Sequence, residues 1–231
     1  MTRLTTPVSE LDTIALVPLR AGSKGFPGKN VSLLGDRPLY RHAVDQALRV
    51  CKTCIVSTDI DEILKGEKLD RVTYFERSVE SSSDNAPMID VLIETLLSLK
   101  AYQKIIVLLQ ATSPLRRDED IRNAIGLYHS GAYDLVMSVT QGDSSILKYG
   151  TVHGNTFEPL SNATFCFQNR QNLPVVFRPN GAVYVFSSDW LLANKNLGSG
   201  TIGVTVMTAN HSIDIDTAQD FKRVSEIMKM S

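Results

Sequence analysis

Short apolar runs alternate along the chain with longer segments in which apolar residues recur every three or four positions. Short runs between turn-forming residues are typical of buried strands, whereas the longer periodic segments are typical of amphipathic helices. The pattern predicts strands at Ile14–Val17, Thr53–Ser57, Val72–Phe75, Ile105–Leu109, Asp134–Thr140, Gly181–Ser187 and Val204–Thr208. It predicts helices at Leu39–Val50, Glu62–Gly66, Met88–Lys100, Asp118–His129 and Thr217–Met230. This alternation predicts an α/β fold with a doubly wound, mostly parallel sheet.

One long segment, Gln141–Pro174, breaks the alternation. It contains candidate strands near Ile146–Tyr149 and Thr156–Glu158 around the turn formers His153–Asn155, which indicates a hairpin outside the main sheet. Two isolated strands bury little surface, so we expect them to pack on a second subunit of a homodimer. The length of 231 residues and the hydrophobic content of 43% predict one domain over residues 1–231, with residues 141–174 as a dimerisation excursion.

Composition and charge exclude several classes of protein. The 24 basic and 25 acidic residues nearly cancel, so no overall positive charge is available for binding nucleic acid. No apolar run has the length of a membrane span, and the polar start Met1–Asp12 lacks the apolar core of a signal peptide. We therefore expect a cytoplasmic protein with no membrane partner. Cys51 and Cys54 form a C-x-x-C pair, but a structural zinc site needs four ligands, so packing of Cys54 in its strand is favoured.

The loop after the first predicted strand combines glycines with cations. It contains Arg20, Gly22, Lys24, Gly25, Gly28 and Lys29. Backbone N–H groups and cations that converge in this way favour a polyphosphate ligand. The loop is not GxxxxGK[ST], because Ser23 lies five residues before Gly28, and it is not GxGxxG, because Lys24 takes the place of the second glycine. A solvated basic turn is the alternative interpretation.

A second candidate site is the pair Asp214 and Asp216 in the stretch SIDID. If this stretch is extended, its period of two places both carboxylates on one face and turns Ile213 and Ile215 towards the core. Such a pair suits Mg²⁺, which binds one or two carboxylates and completes its coordination with water and substrate phosphates. A capping role at the following helix is the alternative, and Asp59 likewise suits the start of the helix that follows it.

Six stretches in chain order resemble blocks of one enzyme family. They are R-x-G-S-K-G-x-x-x-K-N from Arg20, IVSTD from Ile55, LLQATSPLR from Leu108, RQNLP from Arg170, FRPNGAVY from Phe177 and SIDIDT from Ser212. Together they resemble the CMP-sialic acid (N-acylneuraminate) cytidylyltransferase family, whose members activate nine-carbon acidic sugars. The resemblance implies a Rossmann-like nucleotidyltransferase fold and a Mg²⁺-dependent reaction in which CTP and a 2-keto acid sugar give CMP-sugar and pyrophosphate. It also implies that the excursion lies at a dimer interface.

The resemblance assigns roles to individual residues. Catalytic roles fall to Arg20, Lys24, Asp214 and Asp216, with Asp214 and Asp216 as metal ligands. Nucleotide-binding roles fall to Arg20, Ser23, Lys24, Lys29, Asn30, Arg77, Ser83 and Gln110. Sugar-binding roles fall to Gln110, Arg170, Arg178, Asn180 and Tyr184, with Arg170 acting in its own subunit or in the partner's. Each has a simpler alternative: surface ion pairs for Arg77 and Arg170, turns for Ser83 and Asn180, and a strand-end cap for Gln110.

Other activities remain open at the level of sequence. The nearest is CMP-activation of the eight-carbon acid Kdo, although RQNLP and FRPNGAVY resemble the nine-carbon branch. A metal-dependent glycosyltransferase is less favoured, because its D-x-D typically follows an inner strand, whereas Asp214 and Asp216 lie near the C-terminus. A nucleotide-binding regulator would have no reason to keep Lys24, Asp214 and Asp216 together. Sialic, legionaminic and pseudaminic acids all stay candidates for the sugar.

Overall fold

The fold is built on a seven-stranded sheet with the order β11-β7-β10-β6-β1-β4-β5. The computed structural model describes residues 12–22, 25–83 and 85–230. The strands are β1 Asp12–Pro18, β2 Leu33–Leu34, β3 Arg37–Pro38, β4 Thr53–Thr58, β5 Val72–Glu76, β6 Lys104–Leu109, β7 Leu135–Gln141, β8 Gly150–His153, β9 Thr156–Pro159, β10 Phe177–Ser187 and β11 Ile202–Val206. Only β10 runs antiparallel to its neighbours in the large sheet, β6 and β7. The predicted α/β fold with a mostly parallel sheet is confirmed.

Helices cover both faces of this sheet. They are α1 Leu39–Val50, α2 Asp61–Lys65, α3 Val79–Ser82, α4 Met88–Ser98, α5 Asp118–His129, α6 Ser188–Asn194 and α7 Ala218–Met230. Helices α1 and α5 bury apolar residues against one face, and α4 and α6 do so against the other. Helix α7 packs through Val224 on a smaller cluster with Ile215, at the end of the sheet where the cleft described below opens.

The period of two along the central strands explains why both faces need helices. In β6, Ile105, Val107 and Leu109 belong to one core cluster, whereas Ile106 and Leu108 belong to the other. Adjacent side chains of a strand point to opposite faces, so a continuous apolar run buries apolar surface on both. The run predicted to be a central strand is therefore the centre of the core.

Three segments differ from the predicted elements. Ile146–Tyr149, predicted as a strand, is mostly a 3-10 helix over Ser144–Lys148, because the Asp143 carboxylate accepts a hydrogen bond from the Ser145 N–H at 2.9 Å and starts a turn. The hairpin is present one step later as β8 and β9, with Gly154 in the left-handed region at φ 61°. Helices α3 and α6 were not predicted, because segments of four and seven residues are too short to show a helical period.

The cysteine pair packs as expected. Cys51 and Cys54 are both free and buried, and burial raises the pKa of the Cys51 thiol to about 12. Among the described residues, no group of three histidine, cysteine or acidic side chains is arranged to hold a metal ion. Within the same part of the chain, no helix has the length and apolar character needed to cross a membrane.

Phe186 in β10 provides a test of the core. Its side chain is fully buried, so we expect Phe186→Ala to lower the free energy of unfolding by about 3–5 kcal/mol. Tyr102 is an aromatic residue of similar size that is 47% exposed, and Tyr102→Ala should cost less than about 1 kcal/mol. Urea unfolding followed by circular dichroism measures both. Equal losses in the two variants would contradict the assigned core.

Candidate active site

A cleft of about 430 Å³ lies beyond the carboxyl ends of β1, β5 and β6, the place where open α/β sheets bind ligands. Seven of the residues singled out in the sequence line it, from four separate segments. They are Arg20, Lys29, Asn30, Arg77, Gln110, Asp214 and Asp216. Ser23 and Lys24 lie outside the described residues. Residues up to 196 positions apart in sequence therefore share one cleft.

The loop after β1 is held by two hydrogen bonds to its backbone, one from within the loop and one to the end of β4. Asn30 is buried and donates from Nδ2 to the Arg20 carbonyl at 3.0 Å, which closes the loop on itself. The Asp59 carboxylate accepts a hydrogen bond from the Ala21 N–H at 2.8 Å. Asp59 was expected to cap α2, but Ile60 holds the cap position and Asp59 instead anchors the loop. Sequence reasoning missed this role, since its only signal was the position of Asp59 at the end of IVSTD.

The segment that carries Asp214 and Asp216 is held through both backbone groups of the residue between them, Ile215. The Ile215 N–H donates to the Thr112 carbonyl at 2.8 Å, and the Lys29 ammonium donates to the Ile215 carbonyl at 2.6 Å. Ile215 is fully buried in the cluster with Val224, as the period of two predicted. The opposite face of the segment therefore presents both carboxylates to the cleft.

The two carboxylates have different environments. Asp214 is half-buried, and its Oδ1 is buried without a hydrogen-bond partner among the described residues. Burial raises the pKa of this carboxyl, the nearby Thr112 side chain and the charge of Lys29 oppose the rise, and the neighbouring charge of Asp216 adds to it. Asp216 has 74% of its side chain exposed and places Oδ1 at 3.4 Å from Lys29 Nζ. A buried carboxylate oxygen beside a second carboxylate fits the oxygen ligands that Mg²⁺ prefers.

Gly25 allows the loop after β1 to pack directly against the segment that carries Asp214 and Asp216. A Cβ atom at this position would overlap the Asp216 carbonyl oxygen, at a separation that Cβ atoms in proteins do not show. A side chain of any other residue would therefore force the loop and the segment apart. The rings of Phe26 and Phe221 meet edge to face, with centroids 5.2 Å apart, and continue the same contact towards α7.

Gln110 lies at the end of β6, with its side chain beside Gly181 and facing the cleft. Its backbone is held by Arg116, a fully buried residue that sequence reasoning missed. The Arg116 guanidinium donates to the carbonyls of Gln110 at 3.2 Å and Ala182 at 2.6 Å, and to Gln46 Oε1 at 2.8 Å. Burial lowers its pKa to about 10, so it remains a cation at neutral pH. Its only signal in the sequence was its place at the end of LLQATSPLR.

Arg77 is buried and lines the cleft, so the alternative of a surface ion pair is wrong. It donates from Nε to the Ser57 hydroxyl at 3.2 Å, and burial lowers its pKa to about 10 against the opposing effect of Asp59 and Glu94. Ser83 lies in a neighbouring depression together with Ser81 and Glu94, and not in the lining of the main cleft.

The structure does not bring the remaining sugar-site candidates into the cleft of a single chain. Arg178 is exposed on β10, and Tyr184 is half-buried on the same strand, where burial raises the pKa of its hydroxyl and the charge of Asp214 adds to the rise. Arg170 is exposed and pairs with Asp143, with Nη2 at 3.1 Å from Oδ1. That pairing matches the simpler alternative for Arg170.

Asn180 lies in the interior at an irregularity of β10, next to Gly181 with φ 75°. Its Oδ1 accepts from the Ser138 hydroxyl at 2.6 Å and its Nδ2 donates to the Ser212 hydroxyl at 2.9 Å. A turn alone does not describe it, because the side chain joins β7, β10 and the segment that leads into Asp214.

Comparison with known proteins identifies the family. Residues 14–218 match the cytidylyltransferase family model, and the chain belongs to this family. The N-acylneuraminate cytidylyltransferase of Streptococcus agalactiae serotype V is 31% identical over 224 residues, which cover 91% of this chain and 52% of that protein. The chain thus spans about half the length of the curated relatives it matches first.

Two further similarities cover nearly the whole of both chains. The CMP-N,N'-diacetyllegionaminic acid synthase of Legionella pneumophila is 28% identical over 229 residues, 94% of this chain and 97% of that protein. The solved structure of CMP:2-keto-3-deoxy-manno-octonic acid synthetase complexed with CTP superposes with a TM-score of 0.72 at 17% identity, covering 95% of this chain and 99% of that one. At that identity, the structural similarity establishes the fold.

The interior position of Asn180 gives a prediction about stability. Asn180→Ala removes the buried hydrogen bonds of its amide to the Ser138 and Ser212 hydroxyls and to the Ala182 N–H, so we expect the free energy of unfolding to fall by about 2 kcal/mol or more. Asn123 is exposed in α5, and Asn123→Ala should leave stability unchanged or raise it slightly, because alanine favours helix. Thermal unfolding compares the two variants. An Asn180→Ala protein as stable as the wild type would contradict the buried network.

Proposed function

We propose that this protein is a CTP-dependent cytidylyltransferase that activates a nine-carbon 2-keto acid sugar and releases pyrophosphate. The observation that carries the proposal is the junction of the glycine-rich cationic loop with the Asp214–Asp216 segment in one cleft that Gln110 also lines. The names of the relatives from Streptococcus and Legionella support the sugar class. Nucleoside triphosphates such as CTP are cytoplasmic metabolites, so the proposed activity also supports a cytoplasmic location.

In the proposed reaction, the anomeric hydroxyl of the sugar attacks the α-phosphorus of CTP. A new oxygen–phosphorus bond forms, the bond to the β-phosphate bridging oxygen breaks, and pyrophosphate leaves while the hydroxyl proton passes to solvent or a carboxylate. Catalysis of this type comes from positioning and from neutralising charge. Arg20 and Lys24 would supply positive charge to the phosphates, with Ser23 and Asn30 holding the loop and the nucleotide around them.

Asp214 and Asp216 would hold Mg²⁺, whose contribution when bound is to neutralise phosphate oxygens and orient the triphosphate. Asp214 is half-buried in the lining of the cleft, and Asp216 is exposed to solvent beside Lys29. Arg77 and Ser83 would contact the nucleotide from the β5 side. Gln110 would lie between the nucleotide and the sugar, where its amide offers both a donor and an acceptor to a polyhydroxylated substrate.

A homodimer would complete the sugar side of the site. Several large apolar side chains on the excursion are exposed in one chain: Ile146, Tyr149, Val152, Phe157, Leu160 and Phe167. Exposed apolar surface of this extent marks an interaction site, and a second copy of the chain is the proposed occupant. Arg170 lies in the excursion and Arg178 lies at the start of β10, which follows it, and in the proposed dimer they would bind the sugar carboxylate through paired N–H donors.

The direct test is turnover. The protein is incubated with CTP and Mg²⁺ together with sialic, legionaminic or pseudaminic acid or Kdo, and pyrophosphate is measured. We expect pyrophosphate release with at least one nine-carbon acid and little with Kdo. Preferential use of Kdo would identify the eight-carbon alternative, and activity with none of the four acids would overturn the proposal.

Removal of a proposed metal ligand should abolish turnover. We expect Asp216→Asn and Asp214→Asn each to lower kcat by about 100-fold to 1000-fold with the fold intact, because each removes a preorganised charge from the site. Asp61→Asn, on the exposed surface of α2, is the matched control and should behave like wild type. Near-normal rates for both site variants at saturating Mg²⁺ would remove the metal assignment.

The dimer proposal predicts a change of mass for a surface variant. Phe167 is 91% exposed in the single chain, so Phe167→Glu should not disturb its fold but should dissociate the dimer. Val79, 85% exposed on α3 and outside the excursion, provides the control Val79→Glu, which should remain dimeric. Sedimentation velocity gives the mass of each variant. A monomeric wild-type protein with full activity would rule the dimer out.

A further inference from the structure

We propose that Lys29 is a built-in counter-cation of the Asp214–Asp216 pair, which keeps the pair in place without metal and makes binding of a divalent cation depend on the phosphates of the nucleotide. The inference rests on the metal site of the proposed function. It gives Lys29 a role different from the phosphate contact that the resemblance implied.

The position of the lysine is the first step of the argument. Lys29 begins a 3-10 turn after Gly28, whose left-handed φ of 71° directs the chain back towards the sheet. The Lys29 side chain has only 11% of its surface exposed, and its ammonium lies 2.6 Å from the Ile215 carbonyl and 3.4 Å from Asp216 Oδ1. The ammonium is therefore already engaged by the acidic segment.

The acidic segment cannot easily move away from Lys29. The Ile215 N–H is bound to the Thr112 carbonyl, and the Ile215 side chain is fully buried. The Asp216 N–H donates to the Asp220 carboxylate at 3.2 Å, and the Asp216 carbonyl lies against Gly25. Movement of the ammonium away from the segment would also leave the Ile215 carbonyl without its donor. Lys29 is thus a fixed positive charge at the proposed metal site.

The charge balance is the second step. Two carboxylates and one ammonium carry a combined charge of −1. A charge of −1 binds a divalent cation only weakly, because Mg²⁺ loses its hydration water reluctantly. The described residues offer no third acidic, histidine or cysteine side chain arranged to complete a metal site. Asp220 is close in sequence, but its Oδ2 is occupied by the N–H and hydroxyl of Thr217. The missing negative charge and ligands would come from the triphosphate.

The consequence is an order of binding. Without nucleotide, Lys29 neutralises part of the carboxylate charge and repels the metal. With nucleotide, phosphate oxygens outweigh that repulsion and add ligands. Asp214 and Asp216 therefore bind the metal ion only together with the nucleotide or after it.

Mn²⁺ replaces Mg²⁺ as the probe, and free Mn²⁺ is measured by electron paramagnetic resonance in titrations of protein without nucleotide. We expect Lys29→Gln, which removes the charge and keeps an N–H donor, to bind Mn²⁺ at least about fivefold tighter than wild type, because a fixed charge within a few ångströms is removed. Lys29→Arg keeps the charge and should match wild type. Adding Asp216→Asn to Lys29→Gln should abolish the gain.

Equal or weaker binding by Lys29→Gln would overturn the inference, as would a gain that survives Asp216→Asn. A wild-type protein that binds Mn²⁺ without nucleotide as tightly as about 10 μM would also overturn it, and that measurement needs no variant. Circular dichroism verifies the fold of each variant. Failure of the proposed function is separate: it would appear as absence of pyrophosphate release with every acid, whatever the Mn²⁺ titrations give.

Discussion

The backbone N–H and carbonyl of Ile215 are bound by two different loops, and the geometry of the cleft depends on these two hydrogen bonds. Its N–H reaches the loop after β6 through Thr112, and its carbonyl reaches the loop after β1 through Lys29. Three segments that are far apart in sequence are thereby held at one point. The buried Ile215 side chain anchors the same residue in the core, so the carboxylates on either side of it take fixed positions towards the cleft.

Charge in this protein is placed locally. The formal net charge is −1, yet cations from the loop after β1 and from the end of β5 line the same cleft as two carboxylates. An anionic ligand that enters this cleft would meet charges whose positions are already set by folding. Preorganised charges of this kind need no rearrangement when phosphate charge shifts in a reaction.

Two buried polar side chains below the cleft fix the backbone of its walls. Arg116 holds the carbonyls at the end of β6 and in β10, and Asn180 joins β7 and β10 to Ser212. Among the described residues, no carboxylate lies within ion-pair distance of Arg116; its two Nη atoms donate to carbonyl and amide oxygens, and its buried Nε has no acceptor there. Groups of this kind stabilise one arrangement of the loops, because any other would leave buried donors without acceptors.

The sequence by itself determined what depends on neighbours along the chain. The strand and helix pattern, the cationic glycine loop and the alternation of Asp214 with buried Ile215 are all local, since a period of two or 3.6 already decides which side chains share a face. Tertiary structure decided which loops meet. Lys29 finds its partner 186 residues away, Asp59 binds the loop instead of capping a helix, and Asn180 turns into the core. These contacts follow from the sheet order, in which β10 enters antiparallel between β6 and β7, and no local pattern specifies that order.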